Sequence, residues 1–292
     1  MFGAGAHNRR MKNSKVETDS GWVISGLRFA GMWVLAAGVV LGQVAPPSCP
    51  GPAGQPATPP SKQPSGPSEA EVRATAETGA ADPTALVAAE PMENFGVARF
   101  RLADYANCVG DGGCYWSDLD AQTRRAEMAL DAELKTKKPG ERLAIVLDID
   151  ETSLSSYCEE KREAYGYIAS MYNAWIISAE ASIPIPGTVR LFNKARAEGV
   201  AVFFLTGRAE EQRQATERNL EAAGYHGWQG LRLRDSVETT MSTVAYKSLE
   251  RKKIADAGYR ILLNMGDQWS DLNGSPRGEV SVKLPNPFYY LP

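Results

Sequence analysis

Apolar runs alternate with helical patterns along the second half of the chain. Residues 143–147 are apolar at every position, as expected for a parallel strand that is covered on both faces. Residues 201–205 and 260–265 predict further buried strands, and residues 230–233 predict a weaker one. The segments between these runs are long enough to contain helices.

Helical patterns are found in these connecting segments. A helix that is predicted to begin at Pro186 has one apolar face and ends before Gly199. Charged helices are predicted from about residue 210 to 223 and from about residue 246 to 257, each followed by a glycine. Strands that alternate with helices of this length predict an α/β fold built on an open, doubly wound parallel sheet.

The amino end has the pattern of an export signal. Several basic residues precede an apolar run at residues 29–41, which is shorter than the roughly 20 residues that span a bilayer. Residues 1–44 are therefore interpreted as a signal peptide, with an N-terminal anchor over residues 22–44 as the alternative. Cys49 raises lipid attachment as a further alternative, although the residues before it do not match a lipid-attachment box.

The composition changes again after this segment. Residues 45–89 are rich in Pro, Ala and Gly and predict a disordered linker, whereas residues 90–292 have the composition of one folded domain. We therefore expect an exported protein, periplasmic or extracellular. Any membrane contact or tether would come from the N-terminal segment alone.

Charge and histidine content exclude several classes of function. The formal net charge of −3 gives no overall positive field that would attract a nucleic-acid polymer. The chain has only two histidines, and His7 lies in the predicted export segment, so a Ser-His-Asp triad or a histidine nucleophile is not expected. An anionic substrate would have to be bound by a local site.

Four cysteines in an exported chain raise the question of disulfides. Cys108 and Cys114 flank a glycine-rich loop, so a local bond between them is one option. Cys158 has no partner nearby in the sequence and is interpreted as a buried free thiol.

Acidic side chains follow two of the predicted strands. Asp148 and Asp150 come directly after the first strand, so one carboxylate can attack phosphorus while the other transfers a proton. Asp267 and Asp271 follow the last strand and offer oxygen ligands for a hard divalent cation. Because the carboxyl ends of parallel strands meet at one edge of a sheet, we expect these four residues to lie together.

Groups that suit a phosphate lie between these acidic pairs in the sequence. Thr206 offers a hydroxyl, and Gly207 allows its backbone N–H to approach a phosphoryl oxygen closely. Lys247, near the start of a helix, adds positive charge. Arg208 is expected either to contact the phosphate or to pair with an acidic neighbour. The segment Pro285, Asn286 and Pro287 is interpreted as a stiff closing loop without a chemical role.

The order of these motifs resembles that of a known superfamily. Asp148-x-Asp150-x-Thr152, Thr206-Gly207-Arg208, Lys247 and Gly266-Asp267-x-x-x-Asp271 resemble the four motifs of the haloacid-dehalogenase (HAD) superfamily. Residues 205–213, 246–248, 266–272 and 283–290 are similar, more narrowly, to the class III-B acid phosphatases. That family includes bacterial lipoprotein e-type phosphatases and plant vegetative-storage-protein-like phosphatases. The resemblance covers about residues 142–292.

The resemblance implies a HAD-like sheet with a small, mostly helical cap at about residues 153–185. It also implies an acid phosphatase in which Asp148 is the nucleophile and forms an aspartyl-phosphate. Asp150 would be the general acid and then the general base. An acidic to neutral optimum is expected, because Asp150 must carry a proton to act as the acid.

The same resemblance implies how substrate and cofactor would bind. Thr206, Gly207 and Lys247 would bind the phosphoryl group. Mg²⁺ would be bound by the Asp148 carboxylate, the Asp150 backbone carbonyl and Asp267, with Asp271 beside it. The substrate would be a small phosphomonoester, with a nucleotide among the candidates. The expected cap contains the aromatic residues Tyr157, Tyr165, Tyr167, Tyr172 and Trp175. Relatives use cap aromatics to stack on bases, whereas aromatics at helical spacing are also typical of a core, and the sequence leaves open which ring faces the site.

Two other functions are compatible with the same residues. One is a non-catalytic storage or binding protein on the HAD fold, as found among the plant relatives. The other is a phosphotransferase that transfers the phosphoryl group to an alcohol in place of water. The sequence leaves the physiological substrate and the oligomeric state open, because specificity depends on the cap.

Overall fold

The structure is a computed structural model that describes residues 44–49 and 92–291. The predicted export segment, apart from Val44, lies outside the described residues. The helices are α1 (Phe95–Asn107), α2 (Tyr115–Leu134), α3 (Tyr157–Arg162), α4 (Ala169–Trp175), α5 (Pro186–Ala197), α6 (Arg213–Ala222), α7 (Thr243–Asp256) and α8 (Trp269–Leu272). The strands are β1 (Arg142–Leu147), β2 (Ala201–Ala209), β3 (Gly230–Arg234), β4 (Tyr259–Gly266) and β5 (Val280–Lys283). Within the described ranges, no helix combines the length and apolar character needed to cross a bilayer.

The five strands form one parallel sheet in the order β3-β2-β1-β4-β5. Leu143, Ile145 and Leu147 of β1 belong to the core on one face of the sheet, and Ala144 and Val146 belong to the core on the other. Side chains alternate across a strand, so both faces of β1 are covered, which explains its uninterrupted apolar run. The predicted α/β fold with a parallel sheet is confirmed.

Helices cover the two faces of the sheet. On one face, α2 packs beside α5, where Gly187 lies against Thr123 so closely that a Cβ would come within 1.9 Å of its Oγ1. On the other face, α7 contributes Tyr246 and Ile254, which pack with Phe203 of β2. The close approach of α2 to α5 requires glycine at position 187, because any larger side chain would separate the two helices.

Several elements differ from the sequence pattern. The helices α1, α2 and α8 and the edge strand β5 are not predicted from the apolar runs. The element β5 has only four residues, of which Val282 alone is buried, so its pattern is too short to stand out. The helix that is predicted from about residue 210 begins with the 3-10 turn Glu210–Gln212 before α6.

The strand order brings the two acidic motifs together. Leu147 of β1 is paired with Met265 of β4, and the backbone N–H of Asp148 donates to the Met265 carbonyl over 3.0 Å. The carboxyl ends of β1 and β4 are therefore adjacent. Parallel sheets of this kind place their sites at such a junction, between strands whose connections run to opposite sides.

A small helical cap connects β1 to α5. It contains α3, α4 and the 3-10 turn Ala179–Ala181, in agreement with the expected helical cap. Trp175, Ile176 and Ala181 form a separate apolar cluster inside it. The cap therefore has a small core of its own above the edge of the sheet where the acidic motifs meet.

Two disulfides are present. Cys108 is bonded to Cys114, and Cys49 is bonded to Cys158 on α3. The prediction of a free thiol at Cys158 is wrong, because its partner lies 109 residues away in sequence, where no local pattern would reveal it. Such bonds persist in oxidising compartments, which agrees with export. The remaining residues of the predicted linker, 50–89, lie outside the described ranges, and their assignment stays a prediction.

Candidate active site

A cavity of about 840 Å³ lies between the carboxyl edge of the sheet and the cap. Six of the seven predicted site residues line it: Asp148, Asp150, Gly207, Lys247, Asp267 and Asp271. Thr206 is fully buried next to Gly207 and does not line the cavity. Its hydroxyl accepts a hydrogen bond from the backbone N–H of Arg208 over 3.1 Å. The fold thus gathers the residues that the motifs single out.

Lys247 is the central cation of this group. It lies on α7, is 2% exposed, and its ammonium donates to Asp148 Oδ1 and to the Leu205 carbonyl, the latter over 2.6 Å. It also lies 3.0 Å from Asp271 Oδ1. Burial lowers the pKa of Lys247, but Asp148 and Asp271 outweigh burial and raise it overall. The ammonium therefore stays charged at any physiological pH.

Three carboxylates surround one point in this cavity. Asp148, Asp267 and Asp271 each offer an oxygen, and these oxygens lie within 4.8 Å of one another. Burial raises the pKa of Asp148, Lys247 opposes that shift, and Asp271 and Asp267 add to it. Burial and Asp271 likewise raise the pKa of Asp267, to about 6. Clustered, buried carboxylate oxygens are the ligands that a hard divalent cation prefers, so the residues present fit such a metal.

Asp267 is held by three side chains. Its Oδ1 accepts from the Thr152 hydroxyl over 3.1 Å, and its Oδ2 accepts from Gln268 Nε2 over 2.7 Å and from Asn286 Nδ2 over 2.8 Å. The contact of Asn286 corrects the interpretation of its segment as a stiff loop without a chemical role. It was missed because nothing in the local sequence connects residue 286 with residue 267.

Asp271 packs against the strand end itself. A Cβ at Gly266 would come within 2.4 Å of the Asp271 Cβ, so only glycine lets this carboxylate approach the end of β4. The backbone N–H of Gln268 donates to Asp271 Oδ2 over 2.9 Å. The spacing of Gly266, Asp267 and Asp271 thus follows from a tight turn that brings Asp271 to Lys247 and keeps the Asp267 carboxylate close by.

Asp150 is held by Arg208. The guanidinium donates through Nη2 to Asp150 Oδ1 over 2.6 Å and through Nε to Oδ2 over 3.1 Å. Burial lowers the pKa of Arg208, but Asp150 raises it and prevails, so the guanidinium stays charged. A third donor, Nη1, bonds the Thr216 hydroxyl over 3.3 Å. Of the two roles that the sequence allows for Arg208, the structure has the pairing with an acidic neighbour.

Glu151, between the two motif aspartates and Thr152, was not singled out by the sequence. It is fully buried with a φ of 52°, and its carboxyl accepts from the Ser156 hydroxyl over 2.7 Å and from the Tyr289 hydroxyl over 2.6 Å. Burial and Asp267 raise its pKa to about 8. A positive φ at a residue other than glycine, beside a strand end, indicates a constrained site.

The C-terminal segment forms one wall of the cavity. Tyr289, Tyr290 and Leu291 line it, and the Leu291 N–H donates to Gln268 Oε1 over 3.1 Å. We call residues 285–291 the C-terminal strap. Because Asn286 and Tyr289 of this strap contact Asp267 and Glu151, the strap joins the wall of the cavity to the acidic cluster.

The cap forms the opposite wall. Tyr167 and Tyr172 line the cavity, together with Glu160, Asn173 and Ile176. The other cap aromatics that the sequence singles out do not line it: Tyr157, Tyr165 and Trp175. Tyr157 and Trp175 are instead buried, with 2% and 5% of their surface exposed. Of the cap aromatics, Tyr167 and Tyr172 thus remain as contacts for a substrate.

Comparisons with known proteins agree with this geometry. The family profile described as HAD superfamily, subfamily IIIB (Acid phosphatase), matches residues 70–292. The chain is 37% identical over 186 residues to the stem 28 kDa glycoprotein of Glycine max, covering 62% of this chain and 71% of that protein. It is 38% identical over 149 residues to acid phosphatase 1 of Solanum lycopersicum, covering 50% of this chain and 58% of that protein. The chain thus spans less than two thirds of the length of the latter relative.

A solved structure has the same fold. The crystal structure of the class C acid phosphatase from Bacillus anthracis with tungstate bound superposes with a TM-score of 0.53 at 23% sequence identity. The superposition covers 66% of this chain and 86% of that one. At this identity the likeness concerns the fold.

Proposed function

Because this chain belongs to the acid phosphatases of HAD superfamily subfamily IIIB, we propose that it hydrolyses small phosphomonoesters and depends on Mg²⁺. One arrangement carries the proposal. Asp148 and Asp271 share the Lys247 ammonium, and Asp267 places a third carboxylate oxygen within 4.8 Å of theirs. This group lines a cavity of about 840 Å³, which has room for a phosphoryl group and for the alcohol attached to it.

In the first step, a carboxylate oxygen of Asp148 attacks phosphorus, and the bond between phosphorus and the leaving oxygen breaks. Asp150 gives its proton to that leaving oxygen, and the alcohol departs. The product is an aspartyl-phosphate on Asp148. Lys247 and the Gly207 N–H offset the phosphoryl charge. The buried Thr206 hydroxyl, which was expected to bind the phosphoryl group, accepts from the backbone N–H of Arg208 and would hold the loop that presents the Gly207 N–H.

In the second step, water attacks the same phosphorus while Asp150, now a carboxylate, takes a proton from it. The bond between phosphorus and the Asp148 oxygen breaks, which restores the Asp148 carboxylate and releases inorganic phosphate. Asp150 ends the cycle protonated, as it began. Throughout, Arg208 keeps Asp150 in place, because the guanidinium contacts both of its carboxylate oxygens.

Asp148, Asp267, Asp271 and the Asp150 backbone carbonyl would hold the Mg²⁺. When bound, the cation supplies Lewis-acid polarisation of a phosphoryl oxygen and offsets the repulsion between the substrate and the carboxylates. The three clustered carboxylates, those of Asp148, Asp267 and Asp271, lie around the single cation Lys247. A dianionic phosphate added to this set would be strongly repelled without a further positive charge.

The test compares wild type with Asp148→Asn on p-nitrophenyl phosphate at saturating Mg²⁺. We expect kcat to fall by about 10³-fold or more, because the nucleophile is lost. Asp256→Asn is the matched control, since Asp256 is an exposed aspartate that pairs with Lys252 away from the cavity. Thermal unfolding is used to check that both proteins are folded. Equal turnover by wild type and Asp148→Asn would then remove the nucleophile assignment.

Two other functions are compatible with the same pocket. A storage or binding protein without turnover is the first, since the resemblance extends to plant vegetative-storage-protein-like members. Trapping of Asp148 by beryllofluoride, together with inhibition of turnover by vanadate, would exclude it. A phosphotransferase is the second. With added glycerol or nucleoside, a phosphotransferase would form a phosphorylated acceptor in place of free phosphate, and product analysis would detect it.

We also propose that the protein is exported and that residues 90–292 are the catalytic domain. The disulfides support an oxidising compartment. Residues 1–44 would serve as the signal peptide or the anchor. Mass spectrometry of the mature N-terminus distinguishes a cleaved segment from a retained one, and it also tests lipid attachment at Cys49, which the bond to Cys158 opposes.

A further inference from the structure

Three glutamates of the cap are buried close together. Glu159 and Glu160 lie on α3, and Glu163 directly follows it, with 1%, 5% and 7% of their surface exposed. Glu159 forms an ion pair with Arg162, and Glu163 accepts from the Ile168 N–H. The backbone of Glu160 is hydrogen-bonded to Ser156 and Tyr165, but its side chain has no hydrogen bond or ion pair to any residue that the structure describes. Glu160 is also the member of this group that lines the cavity.

A buried carboxyl without a partner costs stability. Burial, Glu163 and Glu159, in that order, raise the pKa of Glu160 to about 7. Because Glu160 lines the cavity, its carboxyl is open to a ligand there, and a ligand that pairs with it would offset the cost of its burial. Near neutral pH this carboxyl gains most from a ligand that brings positive charge or a hydrogen-bond donor.

The neighbouring rings favour the same kind of ligand. Tyr167 and Tyr172 line the cavity on the cap side, and their ring centroids lie 5.6 Å apart. The face of a tyrosine ring attracts a cation, and an ammonium group is a common partner. A carboxyl and two tyrosine rings that line the same cavity thus suit a cationic group better than an anionic one.

We propose that Glu160 is a specificity-determining residue that binds an amino group carried by the leaving alcohol of the substrate. The substrate class is then a phosphomonoester of an amino alcohol. This rests on the proposed function, in which the phosphoryl group lies at Lys247 and the leaving alcohol extends toward the cap. The opposite preference has its own candidate residue. Arg234 also lines the cavity, and its guanidinium donates to the Met241 carbonyl over 3.0 Å. Because the guanidinium is positively charged, Arg234 would favour an anionic tail.

The experiment compares three series of esters of increasing chain length: alkyl phosphates, ω-aminoalkyl phosphates and ω-carboxyalkyl phosphates. Phosphate release is measured with Mg²⁺ at about pH 8, above the pKa of Glu160 of about 7. At the best chain length, we expect kcat/KM for the amino ester to exceed that for the alkyl ester by about tenfold. In Glu160→Gln this ratio should fall toward one.

Two further variants serve as controls. Glu163→Gln changes a glutamate that is equally buried but does not line the cavity, so the ratio should persist. Glu160→Asp keeps the charge on a shorter side chain, so the preferred amino ester should become longer. Thermal unfolding of each variant confirms that it is folded.

Three outcomes would overturn the proposal. One is a ratio near one at every chain length in wild type. The second is a preference for the carboxyalkyl esters, which would assign selectivity to Arg234. The third is a ratio that Glu160→Gln leaves unchanged. If no phosphate is released from any ester, the proposed phosphatase function fails separately. Calorimetric binding of ω-aminoalkyl and alkyl phosphonates then decides the role of Glu160 without turnover, because equal affinities would reject it.

Discussion

Asn286 Nδ2 donates to Asp267 Oδ2 over 2.8 Å, so an amide of the C-terminal strap holds a carboxylate at the end of β4. The same side chain also sets the turn of the strap, because its Oδ1 accepts from the N–H groups of Phe288 over 2.8 Å and Tyr289 over 3.3 Å. Asn286 therefore connects the shape of the cavity wall with the orientation of a proposed metal ligand.

We predict that Asn286→Ala weakens Mg²⁺ binding. Groups that orient a ligating carboxylate typically change metal affinity by about 10- to 100-fold when removed. Isothermal titration calorimetry of the metal-free variant should therefore show a Kd for Mg²⁺ raised by that factor. Pro285→Ala is the matched control in the same strap, and it should leave the Kd close to that of wild type. An unchanged Kd in Asn286→Ala would show that the hydrogen bond is dispensable.

We predict that Arg208→Gln makes catalysis more sensitive to the leaving group. Arg208 contacts both oxygens of Asp150, so its loss leaves the general acid poorly oriented. General acid catalysis contributes about 10²- to 10⁴-fold, mainly for leaving alcohols that need a proton. The kcat/KM for an alkyl phosphate should thus fall at least about tenfold more than that for p-nitrophenyl phosphate. A uniform decrease for both esters would indicate a role in substrate binding instead.

We predict that the two disulfides differ in their contribution to stability. Cys49 and Cys158 are separated by 109 residues, and Cys108 and Cys114 by 6. Loop-closure entropy then gives roughly 5 kcal/mol for the long loop and roughly 2 kcal/mol for the short one. Urea unfolding of the two double Cys→Ser variants measures these losses. A larger loss for the short loop would contradict the entropic account.

We predict that Glu160→Gln gains stability relative to wild type as the pH rises. The pKa of Glu160 is about 7 in the folded protein and 4.5 as an ordinary glutamate. Between these values the folded state binds more protons than the unfolded state, so wild-type stability falls as the pH rises. Glutamine does not titrate. Glu159 and Glu163 face the carboxyl, and Arg162 pairs with Glu159.

The expected change is roughly 1–3 kcal/mol in the free energy of unfolding between about pH 5 and pH 8. Urea unfolding of both proteins across this range measures it. Glu163→Gln serves as the comparison, because it removes one charge that raises the pKa of Glu160 but leaves the burial, so part of the pH dependence of wild type should remain. If the free energies of unfolding of wild type and Glu160→Gln differ by the same amount at every pH, the pKa of the Glu160 carboxyl is not shifted.

The sequence by itself determined the parts of the protein that depend on local order. Buried strands require continuous apolar runs, and a turn directly after a strand fixes where its next side chains lie. The sheet and the grouping of Asp148, Lys247, Asp267 and Asp271 at one edge follow from that. Each of these signals is contained in a few consecutive residues.

Only the tertiary structure decided which distant side chains meet. Arg208 with Asp150, Asn286 with Asp267 and Cys49 with Cys158 are pairs of residues far apart in the sequence, and no periodic pattern connects them. The same holds for the cap, where Tyr167 faces the cavity and Tyr157 the core. Contacts of this kind depend on the direction of each loop after it leaves the sheet. That direction results from packing over the whole domain, so no single segment encodes it.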